Sequence, residues 1–314
     1  MLFRSDSGIE RQILGTAFIT MSNNFTQCIL CSSPNFSHVK KEKKPWLVKC
    51  RNCGLVFSEM IPSLKELEEY YEDYTEYDYI NDVTRNRYLN WIDDLEKERK
   101  TNRMLDVGCG DGILLEQAIK RGWDVFGTEY SEKWVTRCRS KGIHMVQGKL
   151  NAADYEPESF DVIVYLEVIE HINNPLEEFT IAKSLLRKGG VIFLTTPNYN
   201  SMMRYTLSTD WNVICYPEHL AYYTPKTLQR LFSQLDFNKM AIHTKGISPG
   251  RLLSSLRTRG NEVINSTEDI RGVDQQLRIK LESNAGLKLF KNSINMVLNW
   301  TGLGDSMHAW FRKK

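Results

Sequence analysis

Three groups of residues have types and spacings that can do chemistry. The first is four cysteines, Cys28-x-x-Cys31 and Cys50-x-x-Cys53. Each pair chelates from a tight knuckle, and two knuckles complete a tetrahedron of soft thiolates, the pattern of structural zinc. Gly54 follows the second knuckle and can take the positive φ that turns backbone N–H groups toward the sulfurs. A redox dithiol or a pair of disulfides would use the same residues, but neither accounts for the duplication in a cytosolic chain. Cys109, Cys138 and Cys215 stand in other contexts and read as ordinary small apolar residues.

The second group is Asp106-Val107-Gly108-Cys109-Gly110-Asp111-Gly112, where a short apolar strand meets a helix. Glycines there let the backbone approach a ligand, and the helix start offers N–H groups. A nicotinamide site wants Gly-x-Gly-x-x-Gly, whose third glycine would fall on Ile113. Here the third glycine is Gly112 and an acid precedes the loop, which favours a cationic ligand with a close-packed amino-acid moiety. Glu129 ends the next strand, placed to accept both hydroxyls of a ribose.

The third group is Glu167, Glu170 and His171 after the fourth strand, with His219 in Pro217-Glu218-His219-Leu220. A helical turn would set Glu167, Glu170 and His171 at i, i+3 and i+4 on one face. Two carboxylates and two imidazoles at the carboxyl edge of a sheet make a candidate divalent-metal site. They make an equally good polar network bracing the loop.

These groups need a frame, and the pattern supplies one. From Arg103 strands alternate with helices: strands at 104–107, 123–128, 143–146, 160–166, 191–195 and 237–244, and helices at 113–121, 174–187 and 224–235. Thr224-Pro225 opens the last helix with proline at its first position. Such alternation implies a mostly parallel sheet covered on both faces, a doubly wound α/β domain. The reading divides the chain into a disordered extension at 1–24, a zinc ribbon at 25–60 and a tyrosine-rich acidic linker at 61–80. A core at 81–246, a helical lid at 247–304 and a closing strand at 305–314 follow. The apolar stripe of Leu287, Phe290, Ile294, Val297 and Leu298 also suits a helix lying on a membrane surface.

Forty-one basic against thirty-nine acidic residues leave +2 on 314 residues, which excludes an obvious nucleic-acid polycation. The Lys40-Lys41-Glu42-Lys43-Lys44 run can grip an anion, although such a run is more often a solvated hairpin tip. No apolar run approaches the roughly eighteen residues of a spanning helix. Ile13 to Met21 resembles a signal-peptide core, but Gly15, Thr16 and Thr20 dilute it and no cleavage site follows. The expectation is a cytoplasmic protein.

With the glycine loop and Glu129 in place, residues 103 to about 246 resemble the class I S-adenosylmethionine-dependent methyltransferases. The resemblance implies a Rossmann-like seven-stranded sheet of order 3-2-1-4-5-7-6 with the last strand antiparallel. It implies that Asp106, Gly108 and Gly110 hold the methionine part of S-adenosyl-L-methionine, that Glu129 holds the ribose, and that Tyr130 packs on the adenine. That family often has an acid after the third strand; this chain has Gly148-Lys149-Leu150-Asn151, so only adenine contact by Leu150 and Asn151 carries over. Methyl transfer to an alcohol needs alignment and a deprotonated oxygen, supplied by a histidine base or by an ion such as Mg²⁺ or Mn²⁺. His171, His219, Glu167 and Glu170 are the expected catalytic set.

The Glu-x-x-Glu-His pattern with a later histidine is similar to the ubiquinone-pathway O-methyltransferases and to metal-dependent 2′-O-methyltransferases of small-RNA 3′ ends. The ribbon and the Pro217 to Leu220 segment look more like zinc-ribbon methyltransferases of bacterial glycan pathways. The leading expectation is therefore methylation of a hydroxyl on a sugar, nucleotide-sugar or related small molecule. RNA 2′-O-methylation, with the Lys40 to Lys44 loop gripping the strand, is the alternative enzyme. A ribbon adaptor that binds the cofactor without turnover is the alternative from another class.

Overall fold

The computed structural model describes residues 24–63, 65–67, 82–208, 211–247 and 284–314. The expected N-terminal extension, the Tyr70 to Tyr79 linker and the arginines between 251 and 278 lie outside the described residues.

The first three strands, β1 (Phe36–His38), β2 (Leu47–Cys50) and β3 (Val56–Ser58), form the antiparallel ribbon. After helix α1 (Asp82–Leu95), strands and helices alternate as β4 (Arg103–Val107), α2 (Ile113–Lys120), β5 (Asp124–Glu129), α3 (Glu132–Ser140) and β6 (His144–Gln147). The second half runs β7 (Phe160–Leu166), α4 (Pro175–Leu185), β8 (Leu186–Pro197), α5 (Met202–Leu207), β9 (Ala221–Tyr222), α6 (Pro225–Gln234) and β10 (Phe237–Lys245). Helix α7 (Ala285–Thr301) and strand β11 (Ser306–Lys313) close the chain.

Seven strands make one sheet in the order β10-β11-β8-β7-β4-β5-β6. Counted from β4 as the first core strand, this is the expected 3-2-1-4-5-7-6. β11 runs antiparallel to both its neighbours, while the β4–β5, β4–β7, β5–β6 and β7–β8 pairs are parallel. The runs Met104 to Val107 and Phe160 to Tyr165 are buried throughout, as parallel strands covered on both faces must be. One side is covered by Leu114, Leu115, Trp91 and Trp123, the other by Phe179, Leu228 and Phe232. β8 begins earlier than the expected 191. Leu186 already pairs with Phe160, and the register then shifts, so Gly189 and Gly190 lie inside the strand as an irregularity.

The ribbon is fused to this frame. β3 adds β9 as a fourth antiparallel strand, with Val56 opposite Tyr222 and Phe57 opposite Ala221. Cys28, Leu30, Leu55 and Phe57 share a buried cluster with Tyr223, Leu228 and Phe232. On the outer face, Leu47 and Val56 pack with Tyr199, Met203, Trp211 and Tyr222. The lysine-rich tip is pinned as well. Its central Glu42 is buried and pairs with Arg204 at 2.8 Å, and the Arg204 guanidinium lies 4.1 Å from the Tyr199 ring centre. What reads as a solvated tip therefore carries an anchor, because its single acid points inward while the lysines flank it.

The stripe expected on α7 is divided: Leu298 is buried, whereas Leu289, Phe290, Met296, Val297 and Trp300 are exposed among the described residues. No helix among the described residues is long and apolar enough to cross a membrane.

Candidate active site

The glycine loop is tied down by its own backbone. Gly108 and Cys109 both donate to the Thr128 carbonyl, at 2.9 and 3.1 Å, so the loop folds over the end of β5. Gly108, Gly110 and Gly112 all have positive φ, which excludes most side chains on conformation alone. Space separates their roles. A Cβ at Gly108 would lie 2.9 Å from Val168, and one at Gly112 would lie 2.8 Å from Cys138 and Ile143. At Gly110 it would meet nothing within 4 Å, so this glycine faces open room.

Below the loop Asp106 is buried, with Oδ1 lacking any hydrogen-bond partner. Burial, then the neighbouring Cys138 and Glu129, push its carboxyl well above the usual range. A cation or N–H donor arriving over the loop would satisfy that oxygen. Glu129 accepts from the backbone N–H groups of Gly110 at 3.0 Å, Tyr130 at 2.8 Å and Ser131 at 3.1 Å. A carboxylate has about four acceptor positions, so a ribose diol would use the remaining one and displace or share the Gly110 contact. Tyr130 is 72% exposed, leaving its ring available as a platform. Leu150 is instead part of the core, and the Asn151 side-chain Oδ1 caps the 3₁₀ turn at Ala152–Asp154 by accepting from Ala153 N–H at 3.1 Å. Their side chains are thus largely committed to local structure. The chain fits a ligand of the expected kind best at Asp106, Gly110, Glu129 and Tyr130.

The acceptor side differs from the expected helical face. Glu167 has φ of 56° and its N–H still bonds the Thr195 carbonyl, so strand pairing persists through it. A 3₁₀ turn then covers Ile169–His171, and the i, i+3, i+4 alignment does not form. Glu167 faces a cavity of about 300 Å³ beyond the carboxyl ends of β7 and β8, shared with Arg87, Tyr88, Trp91, Thr195, Lys245 and His308. The cavity adjoins the loop: Val168 packs on Gly108, and the Tyr88 hydroxyl is raised chiefly by burial, with Arg87 opposing and the nearby Asp106 and Asp111 adding to it.

Glu170, His171 and His219 gather separately, their ligand atoms within 4.8 Å of one another. Glu170 accepts from Thr196 Oγ1 at 2.8 Å through Oε2, while its buried Oε1 has no partner. Burial, and secondarily Glu167, raise its carboxyl well above the ordinary range. His171 Nδ1 donates to the Glu218 carbonyl at 2.7 Å, and His219 Nδ1 donates to the Val213 carbonyl at 2.7 Å. A carbonyl only accepts, so each neutral ring carries its lone pair on Nε2. Burial lowers the His171 pKa, which favours that neutral form. The two rings are 4.9 Å apart.

Sequence reasoning missed Arg87, Tyr88, Trp91 and His308. The spacing of Tyr88 and Trp91 marks a helix face to be buried, but nothing local says that this face ends in a cavity. His308 sits in a strand, with its ring 5.4 Å from Trp91 and its pKa pulled down to about 3, chiefly by burial.

In the ribbon, the four sulfurs lie within 4.8 Å of one another, with Cys28–Cys53 at 3.5 Å and Cys31–Cys50 at 3.6 Å. These separations exceed the disulfide bond length of about 2.0 Å and approach the edge of about 3.8 Å in a zinc–thiolate tetrahedron. Cys53 N–H points at Cys50 Sγ and Leu55 N–H at Cys53 Sγ, both at 3.5 Å, with Gly54 at positive φ as expected. The donor set fits a zinc ion.

A family model described as a methyltransferase domain matches residues 77–242, just over half of the chain. A ubiquinone biosynthesis O-methyltransferase of Methylococcus capsulatus is 34% identical over 113 residues, 34% of this chain and 47% of that protein. One of the same description from Aeromonas salmonicida is 27% identical over 156 residues, 46% of this chain and 66% of that protein. The aligned part thus spans about half to two thirds of these relatives. A solved SAM-dependent methyltransferase structure from Archaeoglobus fulgidus superposes with a TM-score of 0.49 at 18% identity, covering 79% of this chain and 99% of that one.

Proposed function

The chain belongs to the methyltransferase-domain family, and on that premise we propose that it moves a methyl group from S-adenosylmethionine to a hydroxyl of a small molecule. The observation that carries the reading is adjacency. The glycine loop, above the unpartnered Asp106 oxygen, packs through Gly108 against Val168, the neighbour of the Glu167 that lines the cavity. When bound, S-adenosylmethionine supplies an electrophilic methyl on a sulfonium. Glu129 orients the ribose, Gly110 leaves room for the methionine part, and Tyr130 covers the adenine. Asp106 accepts from the ligand's cationic end. The cavity aligns the acceptor oxygen, and such alignment supplies much of the rate of an in-line displacement. His171 or His219, each neutral with its lone pair on Nε2, serves as the base that takes the acceptor proton.

A second reading rests on the gathered donors. Glu170, His171 and His219 would hold a divalent ion that lowers the hydroxyl pKa, with Mg²⁺ or Mn²⁺ as the ions first expected. The cavity lining of Arg87, Glu167, Thr195, Lys245 and His308 is polar, which supports a sugar, nucleotide-sugar or related polar acceptor. The net charge of +2 weighs against RNA. The ribbon cysteines would hold one structural zinc. The exposed apolar residues of α7 add a peripheral membrane contact to the reading, which vesicle co-sedimentation checks.

The test has two steps. Calorimetry with S-adenosylhomocysteine should show one site; absence of binding would end the methyltransferase reading. Labelled methyl donor should then mark a sugar or nucleotide-sugar pool over an RNA pool. Labelling of RNA alone would replace the acceptor assignment. Loss of turnover on stripping divalent ions, restored by adding them, would select the metal reading over the histidine base.

A further inference from the structure

We infer that the loop from Cys215 to His219 holds a divalent ion of the zinc type, ligated by Cys215, Glu218 and His219. Sequence alone gives Cys215 no role, and the structure places its sulfur in a donor set. The three ligand atoms lie within 4.8 Å of one another, with Cys215 Sγ and Glu218 Oε2 at 3.6 Å. Two local bonds shape the loop for this. His219 N–H closes onto the Cys215 carbonyl at 2.8 Å, bringing positions i, i+3 and i+4 to one side. His219 Nδ1–H is held by the Val213 carbonyl, the arrangement that orients an imidazole to ligate through Nε2.

An independent observation comes from another element. Glu170, on the turn after β7, is 2% exposed and its Oε1 has no hydrogen bond. Its ligand atom is within 4.8 Å of that of His219. A thiol donating to Glu218 would account for Cys215 but would leave the Glu170 oxygen unsatisfied in the interior, which buried polar groups rarely are. An ion held by His219 would lie close to that buried carboxyl, but Glu170 gathers with His171 and His219 and not with Cys215 and Glu218, so the ligands are the three loop residues.

The donors choose the ion. A thiolate and an imidazole favour Zn²⁺, Co²⁺ or Fe²⁺, whereas Mg²⁺ takes oxygen ligands and keeps its waters. This narrows the ion expected at the acceptor edge away from magnesium. The inference stands on geometry and holds whether or not the chain transfers methyl groups, because its test does not read turnover.

Full-length untagged protein is stripped with a chelator, loaded with Co²⁺ and desalted. Two ions per chain are expected, one in the ribbon and one here. Cys215→Ser, nearly isosteric, should keep the ribbon ion and lose the second. The difference spectrum should carry the near-ultraviolet thiolate-to-cobalt band of a single sulfur, and excess Mg²⁺ should not displace it. His219→Ala should match it in stoichiometry. One ion per chain in the unmodified protein, or two in Cys215→Ser with no spectral change, overturns the inference. Displacement of the second ion by Mg²⁺ overturns it too, since the sulfur would then not be a ligand. S-adenosylhomocysteine binding, measured on the same samples, reports separately on the methyltransferase reading.

Discussion

Along the carboxyl edge of the sheet, the β4–β6 side draws its proposed cofactor contacts from residues 106 to 151, one unbroken stretch. The β7–β8 side draws its cavity from Arg87, Glu167, Thr195, Val213, Lys245 and His308, six separate places in the chain. The first side needs only short loops to close, and its glycines act through their own backbone conformation. The second exists only when α1, the segment after β8, β10 and β11 have all docked, and the ribbon braces that segment through Tyr199, Trp211 and Tyr222. Contacts of long sequence separation cost more loop entropy before they return any stability. The acceptor side should therefore be the easier one to perturb from a distance.

The largest test of that contrast is the metal proposed for the ribbon. Because β3 pairs with β9 and the cysteine knuckles share a core with α6, losing the ion should loosen more than residues 25–60. Structural zinc contributes folding energy outright, on the order of 10 kcal/mol in small isolated modules. Cys50→Ser, or chelation, should release amide protection in β1–β3, β9, 199–208 and 211–214, while 103–147 stays protected. Hydrogen exchange reads this directly. Exchange confined to the ribbon would show that the fusion is passive.

Next in size is the pin between the ribbon tip and α5. Arg204→Met leaves Glu42 buried without its partner, and breaking a buried pair from one side costs about 3–5 kcal/mol. Adding Glu42→Gln should recover much of the loss, because the stranded charge goes with it. Denaturant melts of the three proteins give the comparison. Equal stability for Arg204→Met and the unmodified chain would mean that solvent already screens the pair.

How much of this was visible beforehand follows the same divide. Asp106, the three glycines and Glu129 are readable because strand, turn and helix start are set by neighbours in sequence, and so is the strand order once the family is seen. The four ribbon cysteines are readable because their spacing is the one a four-thiolate site would demand, and the fold does gather their sulfurs. The 3₁₀ turn at Ile169–His171 was not, since it follows from the left-handed Glu167 still bonded to Thr195, a partner from the next strand. Glu42 was hidden for a similar reason: one acid among four lysines looks solvated until Arg204, far along the chain, turns it inward.

On the cofactor side the effect should be smaller and local. Glu129→Ala removes a carboxylate that anchors three N–H groups and, on the proposed reading, the ribose. Hydrogen bonds to a charged group contribute about 1.5–3 kcal/mol, so the Kd for S-adenosylhomocysteine should rise by about 10- to 100-fold. Cobalt stoichiometry and exchange in 199–208 and 211–214 should not move. A change in those would couple the two sides more tightly than the contrast allows, and unchanged affinity would remove Glu129 from the ribose site.

The smallest effect lies in the acid limb of stability, and it belongs to His308. Burial holds this ring neutral, with a pKa down at about 3 against an ordinary value of about 6.5. A depressed histidine contributes stability that is present above the unfolded pKa and is lost as pH falls toward the folded one, because only the unfolded chain takes up the proton. Between pH 6.5 and 5.5 that loss is about 1 kcal/mol for one such group, approaching about 1.4 kcal/mol per further unit. His308→Phe keeps a ring against Trp91 but cannot titrate, so its stability should fall less steeply over this window. Subtracting the two profiles removes the carboxylates common to both proteins. A flat difference between pH 6.5 and 5.5 would mean that His308 protonates in place, through water reaching the cavity. The acceptor side would then be wet and mobile even with every ribbon contact intact.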